Sequence, residues 1–97
     1  MRSFKITVKA KEDLIGIARF TEARWGRDQR VSYLKKLDEA FNALAASTDL
    51  GRACPEVKSG YWKCSLGSHI IFYRLASDVS IEIVRVVHKR MDLLRGS

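Results

Sequence analysis

The sequence has 97 residues, a length that accommodates one domain with one modest hydrophobic core. With 46% hydrophobic and 30% charged residues, the composition is ordinary for a soluble globular protein and too apolar for a disordered one. The net charge of +7 favours an acidic partner such as nucleic acid or an acidic protein, and a basic surface that only keeps the protein soluble remains the alternative.

The sequence carries no sorting or membrane signal. It contains neither an apolar core of roughly 7–15 residues near its start nor a run of about 18 apolar residues anywhere. Repeats, low-complexity segments and internal linkers are also absent. We therefore expect a single domain over residues 1–97, a cytoplasmic location and no membrane partner.

The first half of the chain predicts a strand followed by two helices. Apolar and polar residues alternate over residues 4–8, which is the period of a half-buried strand. Over residues 11–25 the apolar positions instead follow one helix face, and Gly26 is expected to end this helix. Asp28 is a suitable N-cap for a second amphipathic helix, which should end near Ser47. Because the turn between them is short, the two helices should form an antiparallel hairpin.

The second half of the chain predicts three strands. Residues 61–66 and 69–75 are separated by Gly67-Ser68, a pair that suits a two-residue hairpin turn. A second turn follows, and residues 81–87 supply another strand rich in β-branched residues. The order β-α-α-β-β-β predicts an α+β domain in which an N-terminal helical hairpin packs on one face of an antiparallel sheet.

The first helix carries more apolar surface than one layer of sheet can cover. Its apolar arc includes Ile15 and Phe20 and spans roughly two-thirds of the helix circumference. We therefore predict that part of the helix pair contacts another chain. The simpler alternative is that these two side chains are isolated exposed hydrophobes, which are common on protein surfaces.

The sequence contains no motif for phosphate-loop, dinucleotide, zinc-protease or serine-hydrolase chemistry. One catalytic candidate remains, a metal-free RNA-cleaving site near the ends of adjacent strands, built from His88, Arg85, Arg74 and Arg90. An imidazole can transfer protons near neutral pH, and guanidinium groups can stabilise charge on a phosphate. A single histidine at a strand end is also commonly a hydrogen-bonded structural residue.

The cysteines and histidines do not have the spacing of a metal site. Cys54 and Cys64 lie outside any CxxC pattern, and His69 and His88 are distant in sequence from each other. We expect reduced, partly buried thiols, with a disulfide only in an oxidising compartment. We also expect no metal ion and no other cofactor.

Two C-terminal motifs resemble a known family. The stretches GSHIIFYR, residues 67–74, and IEIVRVVHKRMD, residues 81–92, together with Trp25-Gly26 at the helical turn, resemble the ParE branch of the RelE/ParE toxin superfamily. The resemblance implies the non-enzymatic toxin of a bacterial type II toxin–antitoxin system, which inhibits DNA gyrase and thereby blocks replication and growth. It further implies neutralisation by a ParD-type antitoxin and contact with operator DNA only through that antitoxin.

The resemblance also implies two binding surfaces. An antitoxin whose C-terminal segment wraps the toxin would cover the surplus apolar helix surface, and its acidic tail would complement the positive charge. The predicted antitoxin-binding residues are Leu14, Ile15, Ile17, Phe20, Leu37 and Phe41. The predicted target-binding residues form a charged, methionine-containing segment, His88, Lys89, Arg90, Met91 and Asp92.

Two other functions stay open. The RelE-like branch, a ribosome-dependent mRNA interferase, shares the fold and would use His88, Arg85 and Arg74 as catalytic residues. No tyrosine follows His88, however, and Glu82 is the only evident candidate for a base in the sheet. The third possibility is a basic nucleic-acid-binding module without toxicity. The sequence contains no helix-turn-helix or RNP signature that would support it.

Overall fold

The fold is a five-stranded sheet with two long helices packed on one face. The computed structural model describes residues 3–91 of the chain. In chain order the elements are β1 (Ser3–Ile6), α1 (Val8–Trp25), α2 (Arg27–Ala46), β2 (Arg52–Ala53), β3 (Tyr61–Leu66), β4 (His69–Ser77) and β5 (Ser80–His88), with short 3-10 turns at Thr48–Leu50 and Lys89–Met91. The predicted α+β class and N-terminal helical hairpin are confirmed. Strand β2 is an addition, because a strand of two residues has no alternation to detect.

The strand order in the sheet is β1-β5-β4-β3-β2, and the sheet is mixed. Strands β2 to β5 pair antiparallel as predicted, whereas β1 joins the outer side of β5 in the parallel direction, with Phe4 beside Ile81 and Ile6 beside Ile83. Hydrophobic alternation identifies a strand but not its direction, and β1 is joined to its neighbour by no short hairpin that would impose one. The prediction of an entirely antiparallel sheet was therefore wrong at this edge.

The helices begin earlier than the sequence pattern indicated. Helix α1 starts at Val8 because the Thr7 hydroxyl caps it, accepting a hydrogen bond from the Ala10 N–H at 3.0 Å. Gly26, with a φ of 96°, is the junction between the two helices, so the prediction of Asp28 as N-cap was wrong. Asp28 instead lies in the first turn of α2, where its charge suits the helix dipole. Neither helix among residues 3–91 is long and apolar enough to cross a membrane.

The main core lies between the helices and the sheet. The rings of Phe4 on β1 and Phe41 on α2 meet edge to face with centroids 5.5 Å apart. Burial of one such large apolar side chain contributes about 1.5–3 kcal/mol, so this layer supplies most of the stability of so small a domain. Its buried members are Ala10, Ile17, Leu37, Phe41, Leu44, Ala45, Ile71, Tyr73, Ile81, Ile83 and Val86.

A smaller apolar cluster lies on the opposite side of the sheet, which we call the outer face. The loop between β2 and β3 folds over it, and the buried members are Cys54, Ile70, Phe72 and Val87. Cys64 instead packs against the main core on the helix side of the sheet. Because they belong to clusters on opposite sides of the sheet, the two cysteine thiols form no disulfide.

Candidate functional site

A groove runs between the exposed side of α1 and the end of β5. It has a volume of about 370 Å³, and we call it the α1–β5 groove. A second hollow of about 310 Å³ shares Phe20, His69 and His88 with it and extends toward the turn between β3 and β4. The groove is lined by Glu12, Asp13, Gly16, Ile17, Phe20, His69, Arg85, Val86, Val87, His88 and Met91. The second hollow adds Thr21, Trp25, Gln29, Tyr33 and Ser68.

Gly16 widens the groove at the middle of α1. No atom lies within 4 Å of the position that a Cβ would occupy there, so this glycine relieves no steric contact. A glycine inside a helix costs about 0.5–1 kcal/mol relative to alanine. Gly16 therefore lowers the stability of the helix. Because it has no side chain, it leaves open space in the groove beside Ile17 and Phe20.

An ion pair joins α1 to β5 at one end of the groove. The Arg85 guanidinium donates two hydrogen bonds to the Asp13 carboxylate, at 2.8 and 3.0 Å, and the Val86 backbone N–H donates a third at 3.0 Å. The hydrogen bonds from Arg85 to Asp13 raise the pKa of that guanidinium. Strand β5 has one extra residue here, Val84, which interrupts its register with β4 immediately before Arg85. Both side chains are mostly buried, so Arg85 serves first to hold the helix on the sheet.

Two histidines lie at the other end of the groove, and Tyr33 lines the second hollow beside them. His69 and His88 are direct cross-strand partners with ring centroids 5.5 Å apart, although they are distant in sequence. The Tyr33 hydroxyl shares a hydrogen bond of 2.6 Å with His69 Nδ1 and donates to the Leu66 carbonyl at 3.2 Å. Burial, and secondly the neighbouring His88, lowers the pKa of His69, whereas burial raises the pKa of Tyr33. No sequence motif marks His69 or Tyr33 as a site residue.

Of the four residues predicted for an RNA-cleaving site, Arg74 lies apart from Arg85, His88 and Arg90. Arg85 and His88 both line the groove, but Arg85 is held by Asp13. Arg74 lies five residues along β4 from the partner of His88, a distance of roughly 17 Å, and forms an ion pair with Glu82 at 2.8 Å. The prediction of one cluster was therefore wrong for Arg74, because β4 and β5 are antiparallel and Arg74 lies toward their connecting turn, whereas His88 lies at the open end of the hairpin.

The six predicted antitoxin-binding residues divide between surface and core. Ile15 and Phe20 are 53% and 65% exposed, whereas Leu37 and Phe41 are 1% and 2% exposed. Leu37 and Phe41 belong to the main core, so their assignment to a binding surface was wrong: the sheet already covers them. The remaining two are intermediate cases, since Leu14 is half-buried and Ile17 is a core residue that also lines the groove. Ile15 lines a separate hollow on the other side of α1, which Arg19 and Arg30 also line.

The predicted target-binding segment begins at the end of β5. His88 is the last residue of that strand, and the 3-10 turn Lys89–Met91 follows it, all of it exposed. The Lys89 N–H donates to the Ser68 carbonyl at 2.9 Å, which fixes the turn beside the β3–β4 hairpin. Met91 is 70% exposed and lines the α1–β5 groove. Asp92 lies outside the described residues.

Comparison with known proteins identifies the family. The sequence model of a protein family described as "ParE toxin of type II toxin-antitoxin system, parDE" matches residues 4–93 of this chain. The chain belongs to the ParE toxin family. It is 48% identical over 76 residues to toxin ParE1 of Mycobacterium tuberculosis, covering 78% of each chain, and 34% identical over 92 residues to toxin ParE1 of Caulobacter vibrioides, covering 95% of this chain and 94% of the relative. The predicted family and the predicted role as the toxin of a type II system are therefore confirmed.

A solved structure supports the fold of this ParE-family chain. It is described as the chromosomal ParDE system from P. aeruginosa, superposes with a TM-score of 0.76 and covers 91% of this chain and 96% of its own. At 22% sequence identity, this likeness bears on the fold alone. Within residues 3–91, no three His, Cys, Asp or Glu side chains are grouped as metal ligands.

Proposed function

We propose that this ParE-family toxin inhibits DNA gyrase without enzymatic activity, and that a ParD-type antitoxin neutralises it by occupying the α1–β5 groove. One observation carries the proposal. The same groove is lined by Phe20, a predicted antitoxin-binding residue, and by His88 and Met91, which are predicted target-binding residues. An antitoxin in this groove would therefore cover residues that the target needs.

The chemistry of the groove suits an amphipathic segment with acidic residues. Phe20 and Met91 supply exposed apolar area, and aromatic residues, methionine and arginine are enriched at protein interfaces. Lys89 and Arg90 are exposed in the turn between His88 and Met91, which line the groove, so they lie at its rim. Their positive charge would attract an acidic partner and accelerate its binding. This is the helix-in-groove mode of recognition, in which apolar anchors provide affinity and rim charges provide selectivity.

The state of the basic groups supports a toxin without catalysis. Stabilising a scissile phosphate requires a guanidinium that is free to meet it. Of the predicted arginines, Arg85 and Arg74 are each held by a carboxylate, Asp13 and Glu82 respectively, and they lie far apart, whereas Arg90 is exposed beside His88. His88 accepts a hydrogen bond at Nδ1 from the Arg90 N–H, a local contact within the turn.

A RelE-like mRNA interferase is the second candidate function, and one observation favours it. His69 and His88 lie side by side in the groove, and a pair of imidazoles can supply an acid and a base near neutral pH. In either function, we propose a cytoplasmic toxin whose complex contacts operator DNA through the antitoxin.

The deciding experiment measures supercoiling by purified gyrase. We expect the toxin to inhibit it, and Lys89→Glu/Arg90→Glu to lose at least about tenfold in potency because the rim charge is reversed. Lys35→Glu/Lys36→Glu is the matched control, since it changes the same net charge on α2 and should inhibit like the natural sequence. If supercoiling is unaffected and mRNA is cut on translating ribosomes, the toxin is an mRNA interferase and not a gyrase inhibitor.

Antitoxin binding is tested separately with two exposed positions on α1. Phe20→Asp should weaken antitoxin affinity by at least about tenfold, because it places a charge on an apolar wall of the groove. Ile15→Asp alters an equally exposed residue that lines the hollow on the other side of the helix. Equal losses in both variants would mean that the antitoxin covers both sides of α1, and unchanged affinity for Phe20→Asp would contradict the groove assignment.

A further inference from the structure

The outer face of the sheet carries a row of ionisable side chains that crosses four strands. Lys5 on β1 pairs with Glu82 on β5, and Glu82 pairs with Arg74 on β4. Arg74 in turn pairs with Tyr61 on β3, and the Lys58 ammonium lies 5.9 Å from the centre of the Tyr61 ring. Since directly paired residues project from the same side of a sheet, these groups form one continuous row.

A second pair of cations widens this surface toward the other edge of the sheet. Arg52 on β2 pairs with Lys63 on β3, which is two residues from Tyr61 and so on the same side. With strands about 4.8 Å apart, the row extends roughly 14 Å from β1 to β3, and the second pair lies about 7 Å farther along β3. We call this surface the outer cationic face, and its members are Lys5, Arg52, Lys58, Lys63 and Arg74.

Few acidic groups offset this charge. Among residues 3–91, Glu82 is the acid that the strand register assigns to the outer face, and Arg74 holds its carboxylate at 2.8 Å. Glu56, which lies in the same loop as Lys58, is exposed. Five cations against these two acids leave an excess of three positive charges on one side of a small domain.

The outer cationic face lacks the features of a protein-binding surface. Ile70, Phe72 and Val87 are buried, Val57 and Tyr61 are partly buried, and the exposed Leu75 borders the face beside Arg74. Protein interfaces depend instead on clusters of exposed apolar anchors. It also lacks a platform for single-stranded nucleic acid. Stacking of bases requires a free aromatic face, and the ring of Tyr61 is half-buried with Lys58 above it. What remains is an excess of positive charge spread in two dimensions, of which Arg74 alone is held by a carboxylate that the strand register places on this face.

We propose that the outer cationic face binds the phosphate backbone of duplex DNA without reading its sequence. Duplex DNA presents about one negative charge per 1.7 Å of its axis, and its major groove is about 12 Å wide. A surface extending roughly 14 by 7 Å therefore meets phosphates on both sides of that groove. Contacts from lysine and arginine to phosphate position a protein on DNA and need no recognition helix, which agrees with the lack of a DNA-binding motif in the sequence.

The test compares two triple variants that remove the same charge from opposite sides of the molecule. The outer-face variant is Lys5→Gln/Arg52→Gln/Lys58→Gln. The helix variant is Arg19→Gln/Lys35→Gln/Lys36→Gln. All six side chains are exposed, so both variants should fold, and the far-ultraviolet circular dichroism spectrum verifies it. Fluorescence anisotropy of a labelled duplex of about 20 base pairs is recorded with each full chain between about 50 and 200 mM salt.

We expect the outer-face variant to lose at least about tenfold in affinity for the duplex. Its slope of log affinity against log salt should fall by about 2–3, since each phosphate contact contributes about 0.9. The helix variant should change affinity less than about twofold. Equal losses in the two variants would overturn the proposal, because net charge alone would then govern binding.

Two further probes distinguish the duplex from other polyanions. A single-stranded RNA of equal length and polyglutamate should each bind at least about tenfold more weakly than the duplex. The proposal is overturned if either binds as tightly and with the same dependence on the outer-face cations, because the face would then select a flexible strand or an acidic peptide. No gyrase is present in this measurement, so failure of the proposed gyrase target would leave the result standing.

Discussion

The α1–β5 groove and the outer cationic face use similar residue types in different ways. In the groove, Asp13 holds Arg85 in an ion pair, and the exposed side chains available to a partner include the apolar Phe20 and Met91. On the outer face the apolar side chains are buried beneath a loop, and the exposed groups are cations. The difference shows how one small sheet separates two kinds of recognition, shape and apolar contact on one side and excess positive charge on the other.

The sharpest way to test this division is to truncate two phenylalanines of the helical hairpin. Phe41→Ala should lower the free energy of unfolding by about 3–5 kcal/mol, because it leaves a cavity in the main core. Phe20→Ala should change it by no more than about 0.5 kcal/mol and should instead weaken antitoxin binding. Urea denaturation of both variants measures the first effect, and similar stability losses would contradict the assignment of Phe20 to a binding surface.

The second prediction concerns the ion pair that holds the helix against β5. Asp13→Asn should cost about 2–3 kcal/mol, because Arg85 and the Val86 N–H lose a charged acceptor in a mostly buried position. Glu22→Gln is the control, since Glu22 pairs with Arg30 at an exposed position where a salt bridge contributes about 0–1 kcal/mol. Thermal unfolding of the two variants should therefore separate them by several degrees, and equal midpoints would mean that the Asp13 contacts are not structural.

Gly16 offers a third prediction, in which stability and binding change in opposite directions. Gly16→Ala should stabilise the fold by about 0.5–1 kcal/mol, because alanine favours the helix and meets no atom within 4 Å. Gly16→Leu should fold equally well but fill the groove, so antitoxin affinity should fall by at least about tenfold. Calorimetric titration with the antitoxin measures this loss, and undiminished binding to the leucine variant would exclude the middle of the groove from the contact.

The smallest expected effect is a pH dependence of stability from His69. Burial and His88 lower the pKa of His69 in the folded protein below its ordinary value of 6.5. The unfolded chain therefore binds the proton more readily, so folding stability from this group is complete above about pH 6.5 and is lost as the pH falls toward the lowered pKa. His69→Gln should flatten the stability curve between about pH 7 and 5, and an unchanged slope would contradict the shift.

Much of the fold was predictable because local periodicity determines it. The helical spacing in α1 and α2 reflects one buried face, and the apolar runs of β4 and β5 reflect strands that are buried on both faces of the sheet. The predicted elements follow from these local patterns. The same periodicity cannot tell which apolar residues the sheet will cover. Leu37 and Phe20 both belong to amphipathic helices, yet one is in the core and the other on the surface. The two residues differ because of the way α1, α2 and the sheet pack together. The local sequence of either helix does not determine that packing.

The site was harder to predict because its contacts join distant parts of the chain. Asp13 and Arg85 lie 72 positions apart, so no local pattern could pair them. A hairpin counted outward from the pair Leu75–Ile81 would place His69 opposite Val87. The extra residue in β5 moves the partner of His69 to His88, and a bulge of this kind is not visible in hydrophobic alternation.

A comparison of two toxin variants decides whether antitoxin and target share the α1–β5 groove. Supercoiling by purified gyrase is assayed with the natural toxin and with Gly16→Leu, after both are shown to be folded. We expect the natural toxin to inhibit supercoiling and Gly16→Leu to fail both to inhibit it and to bind the antitoxin. Full inhibition by a Gly16→Leu toxin that no longer binds the antitoxin would contradict a shared groove.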